Sequence, residues 1–179
     1  MSEPSVPPPL AGLRVLELGQ LIAGPFCAQL LGDFGAEVIK IEAPGMPDPA
    51  RGWGAAKKNG VGLYWPILGR NKTSVTLNLR EADGQDILKA LAATADVIVE
   101  NFRPGTLERW GIGPDVLHEI NPRLVITRIS GYGQTGPESA KAGYASVGEA
   151  KGGLRYLMGE PDRLPSRAGV SLGDTMTGT

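Results

Sequence analysis

Apolar positions along this chain fall into short runs separated by stretches of helical spacing. LRVLEL (13–18) and EVIKIE (37–42) are apolar and β-branched and read as strands. Between them, GPFCAQLLGDFGA (24–36) repeats apolar residues at helical spacing, with Gly35 placed as its stop. The same rhythm returns in SVTLNL (74–79), a helical stretch over DGQDILKALAATA (83–95), and DVIVEN (96–101). It returns again in the helical PDVLHEI (114–120) and the strand RLVITRIS (123–130). Strands that alternate with helices predict an α/β fold: a doubly wound, mainly parallel sheet with helices on both faces.

Two stretches break the rhythm. Residues 1–9 hold four prolines among polar residues and read as a disordered or extended tail, so the folded domain begins near Leu10 and is expected to run over 10–179. Ala43 to Asn71 is long, rich in Gly, Pro and aromatic residues, and without clear periodicity, which marks it as a functional loop. No internal repeat is visible.

Composition narrows the function. With 179 residues, 41% hydrophobic and 21% charged, the chain is one ordinary globular domain with a core of its own. A net charge of −1 gives no reason to expect nucleic acid or an anionic membrane as partner, so an anionic ligand must be met locally. The single cysteine, Cys27, precludes an internal disulfide, and one histidine, His118, is too few for a metal centre without several carboxylates. No apolar run approaches a membrane span and the N-terminus lacks the features of a signal peptide, so a cytoplasmic location is expected.

Several residues invite chemistry. GYGQTG (131–136) formally matches the dinucleotide fingerprint, but Pro137 follows its third glycine and Arg155 stands where a ribose-binding acid should fall, so it reads as a glycine-rich turn. NFRPGTLERWG (101–111) sets Asn101 at a strand end with Arg103 and Arg109 nearby, a pattern that can hold a phosphate or simply be a solvated helix start. Cys27 shares an apolar face with Leu30 and Leu31 and reads as core. His118 reads as solvated or capping. Asp174, in GVSLGDTMTGT (169–179), suits a helix N-cap on local pattern alone.

Taken together, the segments LRVLELGQLIAGPFCAQLLGDFGAEVIKIEAPGMPDPARGW, GRNKTSVTLNL, ADVIVENFRPGTLERWGIG, NPRLVITRISGYGQTGP and SLGDTMTG resemble, in order and spacing, the class III CoA-transferase family, which includes formyl-CoA and carnitine-type CoA-transferases. The resemblance runs from Leu10 to Thr179 and implies the N-terminal part of a Rossmann-like large domain, from an enzyme of two chains linked like rings. The family's second domain and returning C-terminal segment are not matched. Asp174 takes the place of the family's nucleophile, whose carboxylate attacks an acyl-CoA thioester to give a mixed anhydride and then an aspartyl-CoA thioester. Helix N–H groups would steady the developing oxyanion.

The resemblance also implies roles for other positions. Gln20 and Tyr144 fall at the catalytic site, and Trp53 and Tyr64 in the loop lining the acyl pocket. Lys72, Asn101, Arg109 and Trp110 fall where the CoA nucleotide is held. Coenzyme A and its thioesters would be substrates, a carboxylic acid the acceptor, with no permanent cofactor, no metal and a homodimer as the assembly. Ala43 departs from an arginine that contacts CoA in some relatives, and Ala145 from an acid that often follows Tyr144. The superfamily's 2-methylacyl-CoA racemases place a histidine where this chain has Tyr144, which makes racemisation the runner-up. An inactive fragment or assembly partner is the third reading.

Overall fold

The computed structural model describes residues 6–179. Of the tail expected over 1–9, residues 1–5 lie outside the described residues, while Pro8 lies against Gly35, so close that a Cβ there would collide with its ring. In chain order the elements begin with β1 (Arg14–Glu17), α1 (Ala23–Asp33), β2 (Glu37–Glu42), a 3₁₀ turn (Pro49–Gly52), β3 (Lys57–Lys58), β4 (Val61–Gly62) and α2 (Trp65–Leu68). There follow β5 (Lys72–Thr76), α3 (Ala82–Ala92), β6 (Val97–Glu100), α4 (Thr106–Arg109), α5 (Pro114–Ile120) and β7 (Val125–Arg128). The chain then turns through α6 (Ala145–Lys151), a second 3₁₀ turn (Leu154–Leu157) and α7 (Leu172–Gly178).

Five strands form one parallel sheet in the order β5-β2-β1-β6-β7, which is the first five strands of the Rossmann order, 3-2-1-4-5, with the first strand in the middle. Alternate side chains of the central strands serve opposite faces. Leu16, Leu18 and Ile98 pack with Leu88, Leu107 and Leu117 on one side, and Val15, Val38 and Val99 pack with Ala28 of α1 on the other. The doubly wound, parallel α/β fold expected from the alternation is the fold observed. Among the described residues no helix is long and apolar enough to cross a membrane.

Two expectations need correction. The strand anticipated over 74–79 begins at Lys72 and ends at Thr76, because β5 is a solvated edge whose Lys-Thr-Ser-Val-Thr sequence carries no apolar run. Leu77 still donates its N–H to the Glu42 carbonyl at 2.8 Å, and Leu77 and Leu79 then turn into the core. The loop from Ala43 to Asn71 is less irregular than its composition suggests. Asn59 and Gly60, both at positive φ, close a two-residue hairpin between β3 and β4, and α2 follows.

Beneath the carboxyl ends of β1 and β2 lies a buried ionic network. The Lys40 ammonium, 1% exposed, donates to Glu17 Oε1 at 2.7 Å and to the Gly19 carbonyl at 2.8 Å, and lies 2.9 Å from Asp48 Oδ2. Lys72 lies 2.7 Å from the second Glu17 oxygen and donates to the Pro25 carbonyl at 2.6 Å. Burial disfavours both ammonium ions. At Lys40 the two acids more than offset it and hold the pKa above the ordinary lysine value, while at Lys72 burial prevails and the pKa falls.

Removing one member of such a cluster leaves its partners charged and unsolvated. We expect Lys40→Met to lower unfolding stability by about 3–5 kcal/mol, read from the midpoint of urea denaturation. A midpoint equal to the parent's would mean that the network contributes nothing to stability.

Candidate active site

The sheet order reverses between β1 and β6, and in open α/β sheets the crevice beyond the strands' carboxyl ends at such a point is where ligands bind. Here β1 runs into Gly19, Gln20 and Leu21, and β6 into Asn101, Phe102 and Arg103. The Asn101 amide bridges the two segments: its Oδ1 accepts from the Gln20 N–H and its Nδ2 donates to the Gln20 carbonyl, both at 2.8 Å. Leu21 is held at φ 66°, an uncommon conformation for a residue other than glycine. Its N–H donates to Asp48 Oδ1 at 3.1 Å. Asp48 also caps the 3₁₀ turn through the Ala50 N–H at 2.9 Å, as an aspartate before a helical turn does. The main chain of Gln20 is thereby fixed from both sides while its side chain faces a cavity of about 350 Å³.

Close backbone approaches bring α7 over that cavity. A methyl at Gly178 would sit 2.6 Å from the Ala23 carbonyl oxygen of α1, and one at Gly173 would sit 3.0 Å from Cβ of Ala145 on α6. Asp174 therefore projects from the first turn of α7 into the cavity, beside Tyr144, Glu149, Arg103, Lys141 and Gln20. It is not the N-cap that local pattern suggested: Ser171 holds that place and Asp174 is the third helical residue. Among the described residues no donor hydrogen-bonds its carboxylate, and it is half-buried. Burial, reinforced by the charge of Glu149 and partly offset by Arg167, holds its pKa above the ordinary aspartate value.

Glu149, on α6, was not singled out by the sequence. Its carboxylate is buried and accepts from the Gly173 N–H at 3.0 Å, so that one of the helix N–H groups is not free to meet an oxyanion. Lys141 also escaped notice, and its ammonium is 2.7 Å from Glu138. Both lie in the segment that follows β7 at the crevice, and that position was the only signal available for them.

A second cavity, of about 320 Å³, shares Gln20 and Phe102 with the first and continues past Ala43, Pro44, Asn78, Arg80 and Trp110. Trp110 meets Phe102 edge to face with centroids 5.3 Å apart, a favoured aromatic geometry. Of the residues expected at a nucleotide, Asn101 lines the first cavity and Trp110 the second, whereas Arg109 and Lys72 line neither. Arg109 is exposed and donates to Thr106 Oγ1 at 2.9 Å, and Lys72 is engaged in the buried ionic network. Trp53 and Tyr64 are stacked at 6.4 Å outside both cavities. Burial and the charge of Asp174 together raise the Tyr64 pKa, so this pair stands on the Asp174 side.

GYGQTG is a turn, because no helix opens at its third glycine and Gly131 instead abuts Gly143. His118 sits at the end of α5 with Nε2 3.0 Å from the Leu124 carbonyl oxygen, away from both cavities. Among the described residues no cluster of three or more His, Cys, Asp or Glu side chains could hold a metal ion.

A family model described as CoA-transferase family III matches residues 10–179. The chain is 55% identical over its whole length to succinyl-CoA–D-citramalate CoA-transferase of Chloroflexus aurantiacus, spanning 44% of that protein. It is 44% identical over 95% of its length to succinyl-CoA:glutarate CoA-transferase of Mus musculus, spanning 39% of it. Among solved structures it resembles a CAIB/BAIF family protein from Brucella suis, with a TM-score of 0.91 and 40% identity, over 97% of this chain and 47% of the other. The chain thus spans less than half the length of the curated relatives named here.

A raised folded pKa at Asp174 has a definite consequence for stability. The folded carboxyl holds its proton more tightly than the unfolded one, so stability is lost as pH rises from the ordinary aspartate value through the folded one. Asp174→Asn removes that loss. We expect a higher melting temperature than the parent's at pH near 7 and no gain at about pH 3, below the carboxylate range. An unchanged melting temperature at neutral pH would show that the carboxylate carries no folding penalty.

Proposed function

The chain belongs to CoA-transferase family III, and on that premise we propose that it carries the attacking carboxylate of a CoA-transferase, Asp174, which moves CoA from an acyl-CoA to a carboxylic acid. The observation that supports this most directly is the state of Asp174: half-buried, without a hydrogen-bond donor among the described residues, and lying in the crevice at the sheet's reversal. A carboxylate that serves only to cap or to pair would have donors around it.

In the proposed reaction an Asp174 oxygen attacks the thioester carbonyl carbon, the C–S bond breaks, and the CoA thiolate leaves with the bonding pair. The thiolate then attacks the Asp174 carbonyl carbon of the anhydride, forming a C–S bond as the C–O bond breaks and the first acid departs as its carboxylate. An acceptor carboxylate reverses the two steps, so acyl activation is conserved without a metal or nucleotide hydrolysis. Gln20 and Tyr144 stand in the same cavity to orient the acyl group. The pantetheine arm would lie across the shared wall of Gln20 and Phe102, with the nucleotide in the second cavity against Trp110 and Arg80. Trp53 and Tyr64 would close the acyl side.

The relatives' names include succinyl-CoA, the thioester of a dicarboxylic acid, with the dicarboxylates citramalate and glutarate. We propose the same class here: succinyl-CoA as donor and a dicarboxylic acid as acceptor, with two copies or two related chains as the assembly. Arg103 is exposed on the first cavity without an acid partner among the described residues, which suits a second carboxylate.

The test is CoA exchange from succinyl-CoA to a panel of dicarboxylic and short monocarboxylic acids, using the protein as expressed from its own gene. Asp174→Asn should abolish transfer while CoA still binds by calorimetry. Asp174→Glu should be badly impaired, since a misplacement on the order of 1 Å can cost about a hundredfold. Mass spectrometry after acyl-CoA and hydroxylamine should find Asp174 modified only when the donor is present. Transfer by Asp174→Asn at the parent rate, or α-deuteration of a 2-methylacyl-CoA in heavy water without exchange, would overturn the assignment.

The nucleotide end is tested separately. Arg80→Ala should weaken CoA binding by about 1.5–3 kcal/mol, the value of a hydrogen bond to a charged group. Arg109→Ala measured beside it decides whether Arg109 reaches the same phosphate.

A further inference from the structure

We propose that Glu149 is a positioning residue for Asp174: a buried charge that fixes the first turn of α7 and, by repulsion, favours the covalent states of Asp174 over its free carboxylate. The proposal rests on the reading of Asp174 as nucleophile.

Glu149 is 5% exposed, lines the same cavity as Asp174, and holds the Gly173 N–H at 3.0 Å, one residue before Asp174. Gly173 packs so tightly on α6 that a Cβ would lie 3.2 Å from Glu149 Cγ, which leaves α7 little freedom to shift against it. A glutamine could accept that N–H equally well, so the bond does not explain the charge. Ion pairing compensates it only in part: among the described residues its one salt bridge is to Arg155, a long contact with Nε 4.0 Å from Glu149 Oε2 and no hydrogen bond. A carboxylate buried with one backbone hydrogen bond and one long ion pair is costly to fold, and its charge acts on Asp174 with little screening.

The other groups around α7 do not cancel it. On α6, Lys151 is paired with Glu138 and lies over the Tyr132 ring. From the preceding loop, Arg167 reaches Ser171 Oγ at 3.4 Å and offsets part of the repulsion felt by Asp174. From the loop before α2, the Tyr64 phenol is itself raised by Asp174. On α1, the Cys27 thiol is raised by burial and by Glu17, so it remains neutral, and Asp33 is tied to Arg70 at the far end of the helix. Across the cavity stand Lys141, paired with Glu138, and Arg103, which is open to substrate charge.

The chemistry uses the repulsion directly. In the anhydride the negative charge has left Asp174 with the CoA thiolate, and in the aspartyl-CoA thioester it has left with the released acid. Asp174 is uncharged in both, so the conflict with Glu149 exists only in the free enzyme. The same conflict makes the Asp174 carboxylate more basic, and a more basic carboxylate is the better nucleophile.

The discriminating variant is Glu149→Gln, which keeps an acceptor for Gly173 and removes the charge. In the protein as expressed from its own gene, we expect unchanged circular dichroism, several-fold less Asp174 trapped by hydroxylamine after succinyl-CoA, and an acid limb of the pH–rate profile moved to lower pH. Carbon-13 titration of aspartate carboxyls, with Asp174→Asn to assign the signal, should show Asp174 ionising at lower pH than in the parent. Glu149→Ala, which loses both bond and charge, should be worse than Gln. If Gln matches the parent in titration and trapping while Ala fails, Glu149 is a structural bond only and the proposal is overturned. If the parent neither transfers CoA nor forms an adduct, the functional reading falls instead, and the titration still decides whether Glu149 controls Asp174.

Discussion

An ammonium ion withdrawn from water must be surrounded by negative charge and carbonyl oxygen or it will not stay ionised. Lys40, projecting from the second strand of the sheet, meets this constraint by drawing together Glu17 at the end of β1, the Gly19 carbonyl just beyond it and Asp48 from the loop after β2. The rest of the crevice depends on that convergence. Asp48 holds the Leu21 N–H with one oxygen while Lys40 lies 2.9 Å from the other, and that bond supports the left-handed conformation of Leu21. Lys72 extends the network to the Pro25 carbonyl, and so ties the first turn of α1 to the edge strand. A charge cluster with no direct part in chemistry thus determines where Gln20 stands.

On that fixed floor the upper wall is built from close contacts rather than from charges. Gly178 against the Ala23 carbonyl and Gly173 against Ala145 let α7 lie nearer to α1 and α6 than any side chain would permit. This proximity half-buries Asp174 over the switch point. The aspartate needs no special local conformation; its environment follows from which residues are absent beneath the helix.

Most of the architecture is legible in the sequence because buried parallel strands are apolar on both faces, a signature that β1, β2 and β6 carry, while the edge strand β7 keeps an apolar run of its own in Val125 and Ile126. The edge strand β5 was misplaced for the same reason, since solvation leaves Lys72–Thr76 without an apolar run. The hairpin around Asn59–Gly60 had its turn signal in plain view, but its strands are two residues each, too short for any period. At the site, Asp174, Gln20, Asn101 and Tyr144 stand together on one cavity and were named from the resemblance. Glu149 and Lys141 were not, because a single acid or lysine in a glycine-rich segment has no pattern of its own. Their significance arises from the return of α6 and α7 across the sheet. Lys72 shows the converse: the resemblance sets it at the nucleotide, whereas Glu17, two strands away across β2, holds its ammonium in the buried network.

Two carboxylates, Glu42 at the end of β2 and Asp174 on α7, show how differently one fold can treat the same group. Burial alone would raise Glu42, but the Arg51 guanidinium, the Ser74 hydroxyl and the Asp48 N–H hold it down to about 2. Arg51 is itself stacked 4.1 Å over Trp65, so the pair is locked in place. Such a carboxylate is a poor nucleophile, because its oxygens are engaged by donors and its charge is already stabilised. Asp174 receives burial without a hydrogen-bond donor among the described residues, and the charge of a second acid, Glu149, that Arg167 offsets only in part. Its ionised form is destabilised until something electrophilic takes the charge away. The fold thus satisfies the carboxylate that anchors the loop after β2 and leaves without donors the one that faces the crevice, a difference that fits the proposed transfer through Asp174.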